Sequence, residues 1–534
     1  MSSNIADTLK QLSPTGVWPP PNMAAIYRDM GKYHNMYTGK QANQDDGIEL
    51  DGADTILNTV GKYLTNQGRN TNGKSPTKAP QHLPVVSIIA AAMSDLLFSS
   101  SHQHQPAGGV TPELQPRVDR FNHILKRTKW DSRLPEIEEL TAVWGGVWLR
   151  VNWDSDLFDH AFPEWVAPQH GVPVLKRGYL VGVLFHRTQV DKQHVYRHFE
   201  FYKKGAIEHA LYEGTEDDIG QPIPLTDHPL TSGLVRVDPL TGELDSHLNA
   251  NSEIETGYDG VAALWSHNRR PALKWSGNPA GDYLGRSEID GIESALDMYM
   301  AAWRSWMRDL RVGAGSITVA APMLESDNRK GGLLGRGIRD RGTGVTFDVD
   351  REVYTHVNAL GNEDAALKDQ MVANQFAIRV EEHKITCNAA LEQIRMAVGL
   401  GAQAIGLTDG VSSQTATETN ARDSKSSQTR KKKAQYRSDA LEELYAILCA
   451  VDAYKFPEGG GGPVEWDVNF PEAQPTLHVM AAALTQIAAA ESASIETRVR
   501  LLNPEQSDEW VDAEVHKIRV DKGLVGVDLD GLPE

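Results

Sequence analysis

The apolar residues between positions 289 and 310 recur at alternating steps of three and four, which places them along one face of a helix. This stripe consists of Ile289, Ile292, Leu296, Tyr299, Trp303, Trp306 and Leu310. It predicts one continuous helix over residues 286–312, about 40 Å long at ~1.5 Å per residue. Alone, such a helix would expose its aromatic stripe, and exposed apolar patches usually mark an interface, so we expect another surface to cover it.

A second apolar pattern predicts another long helix, over residues 364–398. Its apolar positions are Leu367, Met371, Ile378, Ile385, Leu391 and Ile394. The segment between the helices, 313–361, contains short strand-like runs at 316–320 and 344–348. This order predicts an antiparallel helix pair with a small projecting cap of mixed structure.

The part of the chain before residue 283 changes its period. Residues 83–98 form an apolar run that predicts a buried helix and is too short to span a membrane. From Val147 to Trp153 apolar residues alternate, which predicts a half-buried strand. Residues 178–187 predict another strand, and a hairpin is expected around Lys203-Lys204-Gly205. The fold class is therefore expected to be α+β.

Beyond residue 398 a Gly/Ser/Thr-rich loop at 399–414 precedes Thr415-x-x-Glu418, a capping box that predicts a long helix to about Tyr454. The first half of this helix is polar and basic, while its second half carries apolar residues at core spacing. A strand at 464–470 and Ala-rich helices to about residue 520 are expected to follow.

The charge balance limits the classes of function. Lys+Arg 53 against Asp+Glu 72 gives a net charge of −19, so the whole protein is a poor clamp for nucleic acid, and any contact with DNA must be local. The two cysteines, Cys387 and Cys449, are too few for a disulfide framework or a cysteine-based zinc site. Residues 1–10 lack the apolar core of a secretory signal, so we expect synthesis in the cytosol.

Two local motifs have a functional and a plainer interpretation. Gly68–Ser75 matches the phosphate-binding pattern GxxxxGK[ST], but the apolar residues before it favour a helix and Pro76 disfavours a helix after it, which favours a surface loop. His102 and His104 could present imidazoles to a metal, but no Cys, Asp or Glu lies nearby in sequence, so a flexible loop is preferred. No catalytic arrangement stands out, and we expect no enzyme, no cofactor and no metal.

Two basic clusters stand out in this acidic chain. One is predicted to face DNA or a neighbouring subunit; the alternative is a solvated helix face. It comprises Arg422, Lys425, Arg430, Lys431, Lys432 and Lys433. The other lies in the predicted cap, where it would dock a partner or form a charged rim; it comprises Arg329, Lys330, Arg336, Arg339 and Arg341.

The order of elements resembles the portal proteins of tailed double-stranded DNA phages, and local motifs resemble those of long-tailed phages of Gram-positive hosts. These motifs fall in order over roughly residues 15–520. They are WPPP at 18–21, MYTG at 36–39, HLPVVSIIAAAMSDLLF at 82–98, VWGGVWLRVNWD at 143–154, LGRSEIDGIESALD at 284–297, SWMRDLR at 305–311, FAIRVEEHKIT at 376–386 and TATETNARDSKSSQTRKKK at 415–433.

The resemblance implies a division of the chain into the parts of a portal subunit. These are a wing at 1–282 with a return strand at 463–470, stem helices at 283–312 and 362–398, a clip at 313–361, a tunnel loop and long tunnel-side helix at 399–456, a crown at 471–522 and an acidic tail at 523–534. It also implies a stem interface at Tyr299, Trp303 and Trp306. The implied channel-lining residues are Gln403, Thr408, Ser412, Ser413 and Gln414.

The function implied is that of a structural, non-enzymatic ring of twelve subunits at one capsid vertex of the virion, assembled in the host cytoplasm. Its implied partners are double-stranded DNA without sequence specificity, the large terminase, a head-tail adaptor or connector, the major capsid protein and scaffold, and no membrane. Two alternatives remain: a P-loop packaging motor, from Gly68–Ser75 alone, and another structural protein of the virion.

Overall fold

The computed structural model describes residues 4–39, 83–191, 194–232, 253–313, 316–319, 371–374, 378–401, 416–471, 484–490, 492–503 and 508–523. The chain forms two compact units. The first comprises Met1–Phe98 and His104–Asn469, and the second comprises Ser99–Gln103 and Phe470–Glu534. Helices and sheets are mixed, as the sequence predicts.

The described helices of the first unit are α1 (Ile5–Leu12), α2 (Pro21–Thr38), α3 (Val85–Phe98), α4 (Gln115–Thr128), α5 (Trp130–Trp144), α6 (Pro229–Ser232), α7 (Pro279–Leu284), α8 (Glu293–Gly313), α9 (Val380–Val398) and α10 (Ala416–Lys455). Among these residues, no helix is both long and apolar enough to cross a membrane. The predicted buried helix corresponds to α3, and most of its apolar side chains are buried.

The described strands are β1 (Gln103–Pro106), β2 (Gly146–Asn152), β3 (Phe162–Val166), β4 (Gly171–Lys176), β5 (Tyr179–Asp191), β6 (His194–Lys203), β7 (Ala206–Gly214), β8 (Gln221–Ile223), β9 (Glu253–Glu255), β10 (Ala263–His267), β11 (Ser316–Val319), β12 (Met371–Asn374) and β13 (Trp466–Asn469). The largest sheet has the order β4-β5-β6-β7-β8, with β9 also paired to β7. The predicted hairpin is confirmed, since β6 and β7 pair antiparallel on either side of Lys204 and Gly205.

A three-stranded sheet of the first unit has the order β10-β2-β3. The sequence predicts that β2 is half-buried, and this is wrong: Val147 to Val151 are all buried. Trp148 is covered because its indole packs edge-on against Phe185 of the larger sheet. Arg150 is covered on the same side, where it pairs with Glu164 and Glu200. A polar-looking position thus became interior because a second sheet supplies its counter-charge.

The junction from α5 into β2 needs a glycine. Gly145 has φ +93, in the left-handed region that favours glycine. A Cβ at this position would lie 2.8 Å from the backbone of Arg286 and Ser287. The close approach brings the segment before α8 against the end of α5, where Ser287 donates hydrogen bonds to the carbonyls of Ala142 and Val143.

The two long predicted helices around the cap are shorter than expected. α8 begins at Glu293 and not at 286, because Gly291 adopts φ +91. Ile289 and Ile292, which precede α8, are nevertheless buried. The second prediction is wrong over Met371–Asn374, which form strand β12 and pair antiparallel with β11. Of the two strand-like runs predicted in the cap, the first is confirmed as β11 and the second lies outside the described residues.

The long basic helix and the following strand are confirmed. α10 runs from Ala416 to Lys455, against a predicted end at Tyr454. Val464, Trp466 and Val468 are buried on one face of the segment that contains β13. The loop expected around His104 is instead strand β1, which pairs with β13. The His104 ring lies 5.4 to 5.9 Å from the rings of Phe121, Trp466 and Tyr445.

The second unit contains a small helical core. Residues 484–489 are helical, followed by α11 (Ile495–Leu502) and α12 (Asp508–Asp521). Ser494 caps α11 by accepting a hydrogen bond from the Thr497 amide. The buried residues of this helical core are Val499, Val511 and Val515, with Ile495 and Ile518 packed against them. The predicted helical character of this region is therefore confirmed, while its assignment as a crown stays a prediction.

Candidate subunit interface and basic helix

Helices α8 and α9 pack against each other antiparallel, because the end of α8 meets the start of α9. The carboxylate of Asp309 accepts hydrogen bonds from Arg379 and from His383 Nε2, each at 2.8 Å. These two partners hold the pKa of Asp309 below its usual range. The Trp306 ring stacks on the His383 imidazole with a centroid distance of 6.2 Å. The predicted helix pair is therefore present.

The three predicted stem aromatics are half-buried within this chain. Trp306 is covered by His383, and Trp303 contacts Trp306 edge-on at 5.4 Å. Tyr299 lines a cavity of about 60 Å³ together with residues of α3 and α9, and burial raises the pKa of Tyr299. The aromatic stripe of α8, which the sequence pattern predicts to need a covering surface, is thus covered in part by α9 of the same chain.

The outer faces of the two helices carry exposed apolar side chains. On α8 these are Met298 and Leu310; on and just before α9 they are Ile378, Val380, Ile385 and Met396. Ile385, at 65% exposure, is the most exposed of them. The expected core face of the second helix is therefore wrong at Ile378 and Ile385: the buried face consists of Cys387, Ala390, Ile394 and Val398. The small side chains of Cys387 and Ala390 permit close packing on this buried face. The sequence pattern followed the large apolar residues instead and so missed this face.

The basic helix α10 has an interior and a surface part. Lys433 and Arg437 are buried. The sequence predicts that Lys433 faces DNA or another subunit, and its burial within this chain contradicts that prediction. Lys433 Nζ lies 3.3 Å from Glu138 and 3.2 Å from Glu288, and Arg437 Nε donates to Glu138 at 3.0 Å. We call Glu138, Glu288, Lys433 and Arg437 the buried charge cluster.

Neighbouring groups complete the buried charge cluster. Arg269 pairs with Glu288 at 3.1 Å, and the Asn268 amide donates to Glu288 at 3.2 Å. Burial alone would raise the pKa of Glu288, but Lys433 and Arg269 outweigh it and the pKa is lowered. Ser266 and Asn268 supply further oxygen partners to Arg437 and Lys433. The cluster therefore joins α10, α5 and the segment before α8 within one subunit.

Three of the other predicted basic residues of α10 are exposed, and a fourth, Arg430, is half-buried. Arg430 Nε donates to the Leu96 carbonyl of α3 at 2.8 Å. Lys425, Lys431 and Lys432 are exposed, and Arg422 lies on the first turns of the same helix. The exposed lysines of the predicted cluster thus lie in the first half of α10.

The described start of the predicted tunnel loop is fixed to α10. The Gly401 amide donates to Ser426 Oγ at 2.6 Å, and Thr429 Oγ1 donates to the Gly399 carbonyl at 2.7 Å. The remaining tunnel-loop residues from Gln403 to Gln414 lie outside the described residues, as do the clip residues from Arg329 to Arg341 and the motif Gly68–Ser75. Their assignments stay predictions.

Within the described part of the chain, two groups of side chains have ligand atoms close enough to share a metal ion. One is His198, Glu200 and His209 on β6 and β7. Its members satisfy one another: the two imidazoles lie 3.1 Å apart, and Glu200 pairs with the Arg150 guanidinium. Burial lowers the pKa of His198 to about 4. The adjacent Arg150 guanidinium disfavours a metal cation at this group. The other group is His123, Asp159 and His160.

No protein-family model matches the sequence, and no curated protein matches it. Two solved structures resemble the fold: the neck of an empty gene transfer agent (GTA) particle computed with sixfold symmetry and the neck of a native GTA particle computed with twelvefold symmetry. Each is 14% identical in sequence, with 78% of this chain and 88% of the solved chain covered and a TM-score of 0.33. At this low sequence identity and TM-score, neither the function nor the assembly of those particles is inferred for this chain.

Proposed function

We propose that this chain is the subunit of a phage portal, a non-enzymatic ring at one capsid vertex of the virion. Through its channel the terminase motor would package the genome, and the head-tail connector would later dock to it. The sequence motifs support this proposal because they follow the portal order over roughly residues 15–520. The structural observation that carries it is the apolar outer surface of α8 and α9.

That surface supports a ring because its apolar side chains remain exposed after the two helices have packed together. Met298, Ile385 and Met396 are 46%, 65% and 54% exposed. Exposed apolar groups in contiguous sets favour association. In a closed ring each subunit presents one surface to a different surface of its neighbour, so all copies are buried and assembly stops at closure.

The first half of α10 supports a DNA channel. Its exposed lysines, Lys425, Lys431 and Lys432, lie within a few residues along α10 of Ser426 and Thr429, which hold the start of the predicted tunnel loop. A few surface cations in a protein of net charge −19 attract phosphate weakly. Weak attraction suits DNA that has to slide, because strong neutralisation of phosphates would hold the duplex in place.

The first experiment is mass photometry of the full chain with negative-stain imaging across a range of salt. We expect closed rings with a central channel, and ring sizes other than twelve are compatible with assembly without a capsid. A chain that stays monomeric or dimeric under all salt conditions would refute the portal.

A matched pair of variants tests the apolar surface itself. Ile385→Glu should shift the chain from rings to monomers, because it places a charge in the proposed interface. Val190→Glu is the control, since Val190 on β5 is 67% exposed, close to the 65% of Ile385. Circular dichroism checks that both variants fold. If both assemble like the unmodified chain, the apolar surface is not the interface.

The docking partners belong to the same proposal. The predicted clip, with Arg329, Lys330, Arg336, Arg339 and Arg341, would receive the large terminase and later the connector. Charge reversal at these five positions should abolish co-sedimentation of the terminase with rings while the rings themselves persist. Unchanged co-sedimentation would place the docking surface elsewhere.

A further inference from the structure

A histidine in the first unit has an unused nitrogen in the interior. His160 lies between β2 and β3 and is 0% exposed. Its Nδ1 lies 2.8 Å from the Ala161 carbonyl oxygen, which can only accept, so Nδ1 carries the proton. The Nε2 atom then presents a lone pair, and it is buried without a hydrogen-bond partner. Buried polar atoms without partners are rare and call for an explanation.

Two further ligands lie beside this histidine. His123 on α4, Asp159 and His160 offer ligand atoms that lie within 4.8 Å of one another. The rings of His123 and His160 are perpendicular, with centroids 6.0 Å apart. His123 and Asp159 are both exposed, so their side chains can rotate toward a shared ion. Two imidazoles and one carboxylate form a donor set typical of zinc.

The backbone that carries two of these ligands is held firmly. The buried carboxylate of Asp452 accepts a hydrogen bond from the Ala161 amide at 3.0 Å and pairs with Arg120 at 2.9 Å. Arg120 also donates to the Asp159 carbonyl at 2.7 Å. The His160 ring stacks on Phe158 at 4.9 Å. These contacts set the position of His160 before any ion binds, and a hydrogen bond from the second ring nitrogen to a carbonyl is the usual arrangement of a metal-bound histidine.

Solvent and ions can reach His123 and Asp159, two of the three ligands. An open pocket of about 480 Å³ is lined by His123 and Asp159. Arg127 and Asp156 also line it, so the cation of Arg127 is balanced by an acidic neighbour as well as by Asp159. The pocket leaves room for water at the remaining coordination positions.

We propose that His123, Asp159 and His160 bind one divalent transition-metal ion, with zinc as the best fit to the donors. The ion would tie α4 to the segment before β3. It would also give the buried His160 Nε2 the partner that it lacks. The group on β6 and β7 differs in that its imidazoles already pair with each other and its carboxylate pairs with Arg150. This site is independent of whether the chain forms a portal ring.

The test uses the full chain, stripped of metal and titrated with Zn²⁺ and Co²⁺. We expect one tight site per chain, with the visible absorption of nitrogen- and oxygen-ligated Co²⁺ and a rise in thermal midpoint on adding Zn²⁺. His123→Gln, at an exposed position, should weaken the affinity at least tenfold while the metal-free thermal midpoint is unchanged. Asp159→Asn should weaken it in the same direction.

Two controls separate this site from other histidines. His194→Gln removes an exposed histidine on β6 and should leave the tight site intact. His198→Gln removes a member of the other group and should also leave it intact. The proposal is overturned if Zn²⁺ and Co²⁺ bind no tighter than to other surface histidines, or if His198→Gln abolishes the tight site while His123→Gln preserves it.

Discussion

Replacing Glu138 by glutamine should destabilise the first unit, because the buried charge cluster depends on this carboxylate. Glu138 is 1% exposed and contacts both Lys433 and Arg437. Glutamine keeps the shape but removes the charge. Lys433 retains Glu288 at 3.2 Å, whereas Arg437, with a side chain 3% exposed, loses its carboxylate.

The size of the effect follows from the cost of a buried unpaired charge. Removing one partner of a buried ion pair costs about 3–5 kcal/mol. A unit of roughly 450 residues has an unfolding entropy of about 1 kcal/mol/K, at ~2.1 cal/mol/K per residue. The thermal midpoint of Glu138→Gln should therefore fall by roughly 3–5 °C. Scanning calorimetry on the same oligomeric state measures it, and hydrogen exchange should show faster opening of α10 around Lys433.

The control is Glu136→Gln, on an exposed position of the same helix. A surface substitution of this kind changes stability by about 0.5 kcal/mol or less. The double variant Glu138→Gln with Arg437→Gln should recover part of the loss, because it also removes the stranded charge. If Glu138→Gln has the same thermal midpoint as Glu136→Gln, the proposed contribution of the buried charge cluster to stability is refuted.

Three further results are expected. Burial lowers the pKa of His198 to about 4, so this imidazole stays neutral in the folded protein while the unfolded chain takes up a proton below about pH 6.5. At pH 5 this difference lowers the free energy of unfolding by about 2 kcal/mol. Thermal midpoints should therefore drop between pH 7 and 5, and drop less in His198→Gln. Deleting residues 403–410 should permit ring assembly but impair packaging or retention of DNA; full, infectious particles would refute the channel position of this loop. Lys74→Ala should leave assembly and packaging unchanged, whereas saturable ATP binding that the substitution removes would revive the motor alternative.

Elements defined by local chemistry could be predicted from the sequence. The helix α10 ends within one residue of its predicted end, since its second half has the periodic apolar pattern of a core helix. The β6 and β7 hairpin follows from two strand-like runs around a glycine turn, Gly205, with φ +78. The antiparallel pairing of α8 and α9 follows from two helical stripes separated by a compact segment.

The tertiary structure decided which face of each element is interior. Periodicity predicts that one face of a helix is apolar, but the face that packs depends on its neighbour, so Cys387 and Ala390 are buried while Ile385 is exposed. Charge patterning has the same limit: Lys433 and the neighbouring Lys432 look alike in sequence. Only the arrival of Glu138 and Glu288 from distant segments makes one of them interior. Long-range pairing of this kind, like the strand pairing of β12 with β11, depends on contacts between residues far apart in the chain, which no local pattern records.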